Sequence, residues 1–278
     1  MKNYLKLLNF EVNRFFKLYL TLIGLIISSQ FIGAIVVSKA YMNDADQVMY
    51  KNQLSMGQYI KGYGVFPFHR FIESGWFLMP IFFSIAILMI YVFFIWYRDW
   101  FGKNTFIYRL LMLPTERITI YFAKLTTIMV FVLGLVTLQI LLIPIEMQIV
   151  NSMIPTDLQS HFSFYDNFGN YSLEMWGWLY PNTFTEFILI YGVGLIFVAV
   201  LFTAILIERS YGLKGIFFAI VYGMLSFGVF FAPIFLNEFS SGYFYSLEVF
   251  LMVLVMSIIV LGSAIWIANH LLKYKIRV

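Results

Sequence analysis

The sequence predicts an all-α membrane protein of six transmembrane helices, with an amphipathic helix at its N-terminus and a short helix in its first basic loop. Three observations predict it. Of the 278 residues, 62% are hydrophobic and only 12% charged, against about 25% charged in an ordinary soluble domain. Mean hydropathy is +0.85, and six stretches reach the roughly 20 apolar residues that one bilayer crossing needs. The basic residues, finally, crowd into alternate connections, as the positive-inside rule requires.

The elements follow in chain order as one transmembrane domain over residues 1–278. In residues 1–17, Leu5, Leu8, Val12 and Phe15 recur at helical spacing, while Lys2, Lys6, Asn9, Asn13 and Lys17 fill the other faces. We expect this segment to lie in the membrane interface, lysines toward anionic headgroups, in preference to a plain cytosolic extension of the first span. The first apolar run is followed by no small-residue cleavage site, so it is expected to stay as a span. The six spans are 18–38, 76–97, 118–145, 184–207, 216–235 and 249–271. None has an acidic or basic residue in its middle, and Lys124, Glu146 and Glu186 fall near ends.

An even number of spans puts both termini on one side. The N-terminus, the loop after the second span, the Glu208–Lys214 loop and the C-terminal tail together hold all but four of the 18 basic residues; the exceptions are Lys39, Lys51, Lys61 and Arg70. Both termini are therefore expected in the cytoplasm. Residues 39–75 and 148–182 then lie outside. The first has a glycine-rich run at 61–64. The second is dense in rings (Phe162, Phe164, Tyr165, Phe168, Tyr171, Trp176, Trp178, Tyr180). Those rings suit packing against helix ends better than a lid on the outer leaflet.

The 98–117 loop, with Lys124 beyond it, carries Arg98, Lys103, Arg109 and Arg117. Phe106, Leu110 and Leu113 sit at helical spacing before Pro114, which cannot continue a helix interior. A short helix, a break and a new span would present a firm knob to a cytosolic partner; a solvated loop that only sets topology fits the pattern equally. Pro233 could bend the fifth span or let a broken piece return to the surface.

Several chemistries are not written in the chain. Cysteine is absent, which removes disulfides and thiolate ligands. His69, His161 and His270 are scattered, and no zinc-protease, nucleophile-elbow or P-loop motif occurs. No cofactor, metal or nucleic-acid partner is expected, and no enzyme of its own; any ATP would be bound by another polypeptide. Ser226 lacks the glycine spacing of a nucleophile, and Asn170-Tyr-Ser172 is a weak glycosylation pattern. The span middles offer Ser28, Ser29, Gln30, Thr126, Thr127, Thr137, Gln139, Thr203 and Ser257, small polar groups of the kind that bind helices together. That argues against an ion-coupled carrier.

Residues 108–117, Tyr-Arg-Leu-Leu-Met-Leu-Pro-Thr-Glu-Arg, followed by Ile120 and Lys124, resemble the entry to the third span in the ABC-2-type permease family, the transmembrane subunits of bacterial ABC exporters. The N-terminal segment with Glu11 and Arg14 is similar to that family's leading interfacial helix, and Glu208–Gly215 is a fainter likeness. The resemblance implies an ABC-2 exporter-like fold in the plasma membrane of a bacterium, and composition is compatible with a Gram-positive source. It implies two permeases, identical or homologous, seated on two cytosolic ABC ATPase subunits. The coupling element would be the segment with Phe101, Phe106, Arg109, Leu110, Leu113, Glu116 and Arg117, flanked by the interfacial helix with Leu5, Leu8, Glu11, Val12 and Phe15. Cargo would be amphipathic or hydrophobic, such as peptides or antimicrobial compounds. From other classes, a sensor or assembly subunit that binds a partner through the outer aromatic segments remains open, as does, less favoured, a membrane-embedded enzyme.

Overall fold

The computed structural model describes residues 2–101, 106–112, 115–159, 181 and 183–276. Its helices are α1 (Lys2–Asn52), α2 (Met56–Tyr63), α3 (His69–Ile72), α4 (Gly75–Trp100), α5 (Phe106–Leu111), α6 (Ile118–Met153), α7 (Phe184–Tyr211), α8 (Leu213–Phe239) and α9 (Ser246–His270), the last running on as a π-helical turn to Lys275. Six of them are long and apolar enough to cross a membrane: α1, α4, α6, α7, α8 and α9. Each contains one of the expected spans, so the chain has the make-up of a multi-pass helical membrane protein.

The N-terminal segment is not separated from the first span. Residues 2–52 form one helix, because this stretch contains no proline and its glycines, Gly24 and Gly33, stand far apart. Its buried face also differs from the expected stripe. Leu7, Glu11, Phe15, Tyr19, Leu22 and Ile26 are buried, whereas Leu5 is 58% exposed and Leu8 and Val12 are half-buried. The expected stripe was the most apolar face; the packed face instead includes an acid that finds its partners on other helices.

Helices also overrun the expected bounds. α6 continues to Met153 through Pro144, so Glu146 lies inside it. Glu146 is fully buried, and neither carboxyl oxygen has a hydrogen-bond partner. Glu146 stays toward the C-terminal end of α6, as expected, but inside the helix, which extends about two turns further than hydropathy alone suggested. α8 likewise runs unbroken through Pro233.

The chain divides into two compact units. One comprises residues 15–87 and 131–186. Its core joins Ala34, Tyr41, Tyr59, Phe66, Phe71, Phe77, Ile143, Val150 and Leu158. Residues 39–75 are therefore packed structure, not loop: Phe66 lies edge-on to Tyr41 at 4.9 Å, and its amide donates to Leu158 O at 2.8 Å. Deeper in this unit Gln30 and Gln139 exchange amide hydrogen bonds at 3.1 and 3.3 Å, so α1 and α6 are bound by the polar residues expected to do so. α1 approaches α4 closely enough at Gly33 that a Cβ there would run into the Cβ of Trp76. The rings singled out between 162 and 180 lie outside the described residues.

The other unit comprises residues 1–14, 88–130 and 187–278. Within it α7 and α8 are joined by Gly212 alone, whose φ of +61° favours glycine. Gly215 then brings α8 against α7 where a Cβ would stand 2.6 Å from Glu208 O. Tyr121 donates its hydroxyl to Ala199 O at 2.9 Å, fixing α6 to α7. On α8 and α9, Phe217, Met224, Leu225, Ile258 and Trp266 are exposed, a surface suited to lipid.

Candidate functional site

The most unusual chemistry in the chain is a buried knot of five charged side chains from α1, α4 and α6. Lys124 stands in the second turn of α6 with its side chain 0% exposed. Its Nζ donates to Glu11 Oε1 at 2.8 Å, to Asp99 Oδ2 at 2.5 Å and to Ile95 O at 2.8 Å. An ammonium group has three hydrogens, so none is left over. Each carboxylate turns its second oxygen to an arginine: Arg14 reaches Asp99 Oδ1 at 2.7 Å, and Arg98 reaches Glu11 Oε2 at 3.1 Å. The arginine side chains are 21% and 20% exposed and form the rim.

Local sequence explains the placing. Leu7, Glu11 and Phe15 fall on one face at i, i+4 and i+8, so the helix that buries the two apolar residues must bury the acid between them. Arg98 and Asp99 are consecutive near the end of α4 and so point to different neighbours, one to Glu11 and one to Arg14 and Lys124. Charges this far from water are tolerated where opposite charge is close, and here both carboxylates and the ammonium are fully hydrogen-bonded, Arg98 Nε alone of the knot's buried polar atoms lacking a partner.

The knot extends to α5 through rings. The Phe10 and Phe106 rings stack at 5.6 Å with 25° between planes. The Arg14 guanidinium carbon lies 5.2 Å from the first ring and 5.1 Å from the second. Both are cation–π distances. One arginine thereby holds α5 and Asp99 together. Two further contacts bind the same unit: the Tyr97 hydroxyl donates to the Glu208 carboxylate, and Arg117 donates to Leu272 O at 2.8 Å and Ile276 O at 2.9 Å. The second satisfies carbonyls left free at the end of α9.

The residues expected to form the coupling element divide into two sets. Phe106 is half-buried against Phe10, and Leu110 is buried. Facing away are Phe101 at 65% exposure, with Arg109 and Glu116 also exposed. Arg117 is half-buried and engaged with the end of α9. Leu113 lies outside the described residues. Of the interfacial-helix residues, Glu11 and Phe15 are buried, while Leu5, Leu8 and Val12 are not.

Sequence reasoning missed Arg98, Asp99 and Lys124 as a set, and treated Glu11 only as part of a likeness. An available signal was the acid between Leu7 and Phe15 at helical spacing, since a buried acid needs a buried base. No protein-family model, curated protein or solved structure matches the chain. What the site can do must therefore come from its geometry. Among the described residues, no group of three or more histidine or acidic residues is placed to hold a metal ion. The space between the two carboxylates is filled by the lysine ammonium. With the lysine's three hydrogens and all four carboxylate oxygens paired, the knot is suited to holding α1, α4 and α6 in fixed relation.

Proposed function

We propose that the chain is the transmembrane permease subunit of an ATP-driven ABC transporter that exports amphipathic or hydrophobic cargo. It would sit in the plasma membrane with both termini in the cytoplasm, beside a second identical or homologous permease and above cytosolic ABC ATPase subunits. The observation that supports this best is the mounting of α5. Its inner face, Phe106 and Leu110, is held by α1, while Arg14 connects it to the buried Glu11–Lys124–Asp99 knot on three spanning helices. Its outer side offers Arg109, with Phe101 and Met112 exposed beside it. A short helix with exposed residues on its outer face and a rigid charged mounting is what a cytosolic motor would need to grip. The crowding of basic residues into alternate connections agrees with that side being cytoplasmic.

The structure changes which substitutions test this. Leu110 and Phe106 face inward, so charging them would disturb the mounting itself. Arg109→Glu and Phe101→Asp alter only the outer face. Expressed with its cognate ATPase and isolated in mild detergent, the wild-type chain should carry an ATP-hydrolysing partner. The two variants should insert and melt as wild type yet lose most of the co-purified ATPase activity. Isolation of the wild-type chain without any nucleotide-hydrolysing partner would overturn the assignment.

A further inference from the structure

We propose that the groove between the start of α1 and α5 is a binding site for one anionic phospholipid. The groove has a volume of about 410 Å³ and is lined by Asn3, Lys6, Leu7, Phe10, Phe106 and Leu110, with Thr115 at its edge. Its make-up is that of an amphiphile's mould. Leu7, Phe10, Phe106 and Leu110 form an apolar floor that fits an acyl chain, and Lys6 with Asn3 supplies a cation and an amide for a phosphate. Among the described residues no acid lines it: Glu11 on the same helix is buried and already paired with Lys124 and Arg98, and the exposed Glu116 is not among the lining residues.

Depth favours lipid over a segment of a cytosolic protein. Tyr4, between Asn3 and Lys6, is hydrogen-bonded through its hydroxyl to Thr126 Oγ1 at 2.6 Å. Thr126 lies two turns into α6, about 12 Å along an apolar helix at 1.5 Å per residue. The groove therefore opens at the level of the bilayer's edge, where headgroup phosphates and the first acyl carbons meet. Anionic lipid is drawn to basic residues at this level, and the acyl chain adds apolar contact that a free phosphate could not make. The inference stands apart from the permease assignment, since it requires no ATPase and no cargo.

The full chain, purified in detergent, is titrated with phosphatidylglycerol or phosphatidylcholine of identical chains and its lipid adducts are counted by native mass spectrometry. The first adduct should favour the anionic lipid by about fivefold, the size expected for one lysine at a charged lipid surface. Lys6→Gln should abolish that preference, while Lys17→Gln, exposed and outside the groove, should leave it unchanged. A phosphatidylglycerol with a photoactivatable chain should mark peptides covering residues 3–10 and 106–112 of the unaltered protein, which keeps the test valid if a variant folds poorly. Equal binding of the two lipids, or marking confined to other helices, overturns the proposal and assigns the groove to bulk lipid or to a protein segment.

Discussion

Replacing Lys124 by methionine keeps the length and apolar stem of the side chain and deletes its ammonium group. In the wild-type protein that group satisfies one oxygen each of Glu11 and Asp99 and the carbonyl of Ile95, all without access to water. The variant leaves two carboxylates in a dry site, Asp99 with Arg14 at 2.7 Å and Glu11 with Arg98 at 3.1 Å and Arg14 at 3.7 Å. Removing one partner of a buried pair costs about 3–5 kcal/mol. The retained arginines place this case near the lower end, about 3 kcal/mol, which for a chain of this size lowers Tm by roughly 6–12 °C. Arg98→Met is the control, because its side chain is 20% exposed, with one 3.1 Å contact to Glu11 and the Tyr91 ring 5.8 Å away; it should cost about 1 kcal/mol or less. Glu11→Gln combined with Lys124→Met removes the charge and the countercharge together, so the double variant should melt above the value expected from adding the two single losses. Melting is followed in detergent by the fraction of protein remaining monodisperse after heating. If Lys124→Met melts within about 2 °C of wild type, less than 1 kcal/mol on the same scale, the knot does not hold the helices as described.

Two helix-packing predictions use the same assay. Gly33→Ala should destabilise by about 1–3 kcal/mol, because its methyl group meets the Cβ of Trp76, which is fixed to the backbone. Gly24→Ala on the same helix has nothing within 4 Å and should be neutral or raise Tm slightly; the reverse order would show that α1 and α4 do not approach at Gly33. Gln30→Leu alone should cost about 1 kcal/mol, since the buried Gln139 amide loses its partner, and Gln139→Leu somewhat less, since Gln30 Nε2 still reaches Phe77 O at 3.4 Å. The double leucine variant should recover most of that loss, and additive losses would rule out the paired arrangement.

The membrane class and the six spans were legible in the sequence because lipid imposes its demand locally. About 20 apolar residues must come in a row, whatever else the chain does, and Gly75–Trp100 or Phe184–Tyr211 satisfy this without reference to any neighbour. The glutamines that pair were likewise visible, since a polar amide in an apolar run needs a partner. Less could be read of where helices end. α1 and α6 run well past the bilayer length, and hydropathy falls silent once residues pack against protein in place of lipid.

Sequence alone thus settled that this chain belongs in a membrane and where its apolar helices lie. Around Phe106 and Leu110 it left a short helix and a solvated loop equally open, and the structure forms the helix. Only the tertiary structure decided which face of α1 is buried, since that face is chosen by Asp99, Lys124 and Arg98, residues 85 or more positions away along the chain from their partners on α1. A charge next to an apolar stripe looks like a boundary in one dimension. It becomes the centre of a site when three helices bring opposite charges to within hydrogen-bond distance and shut out water.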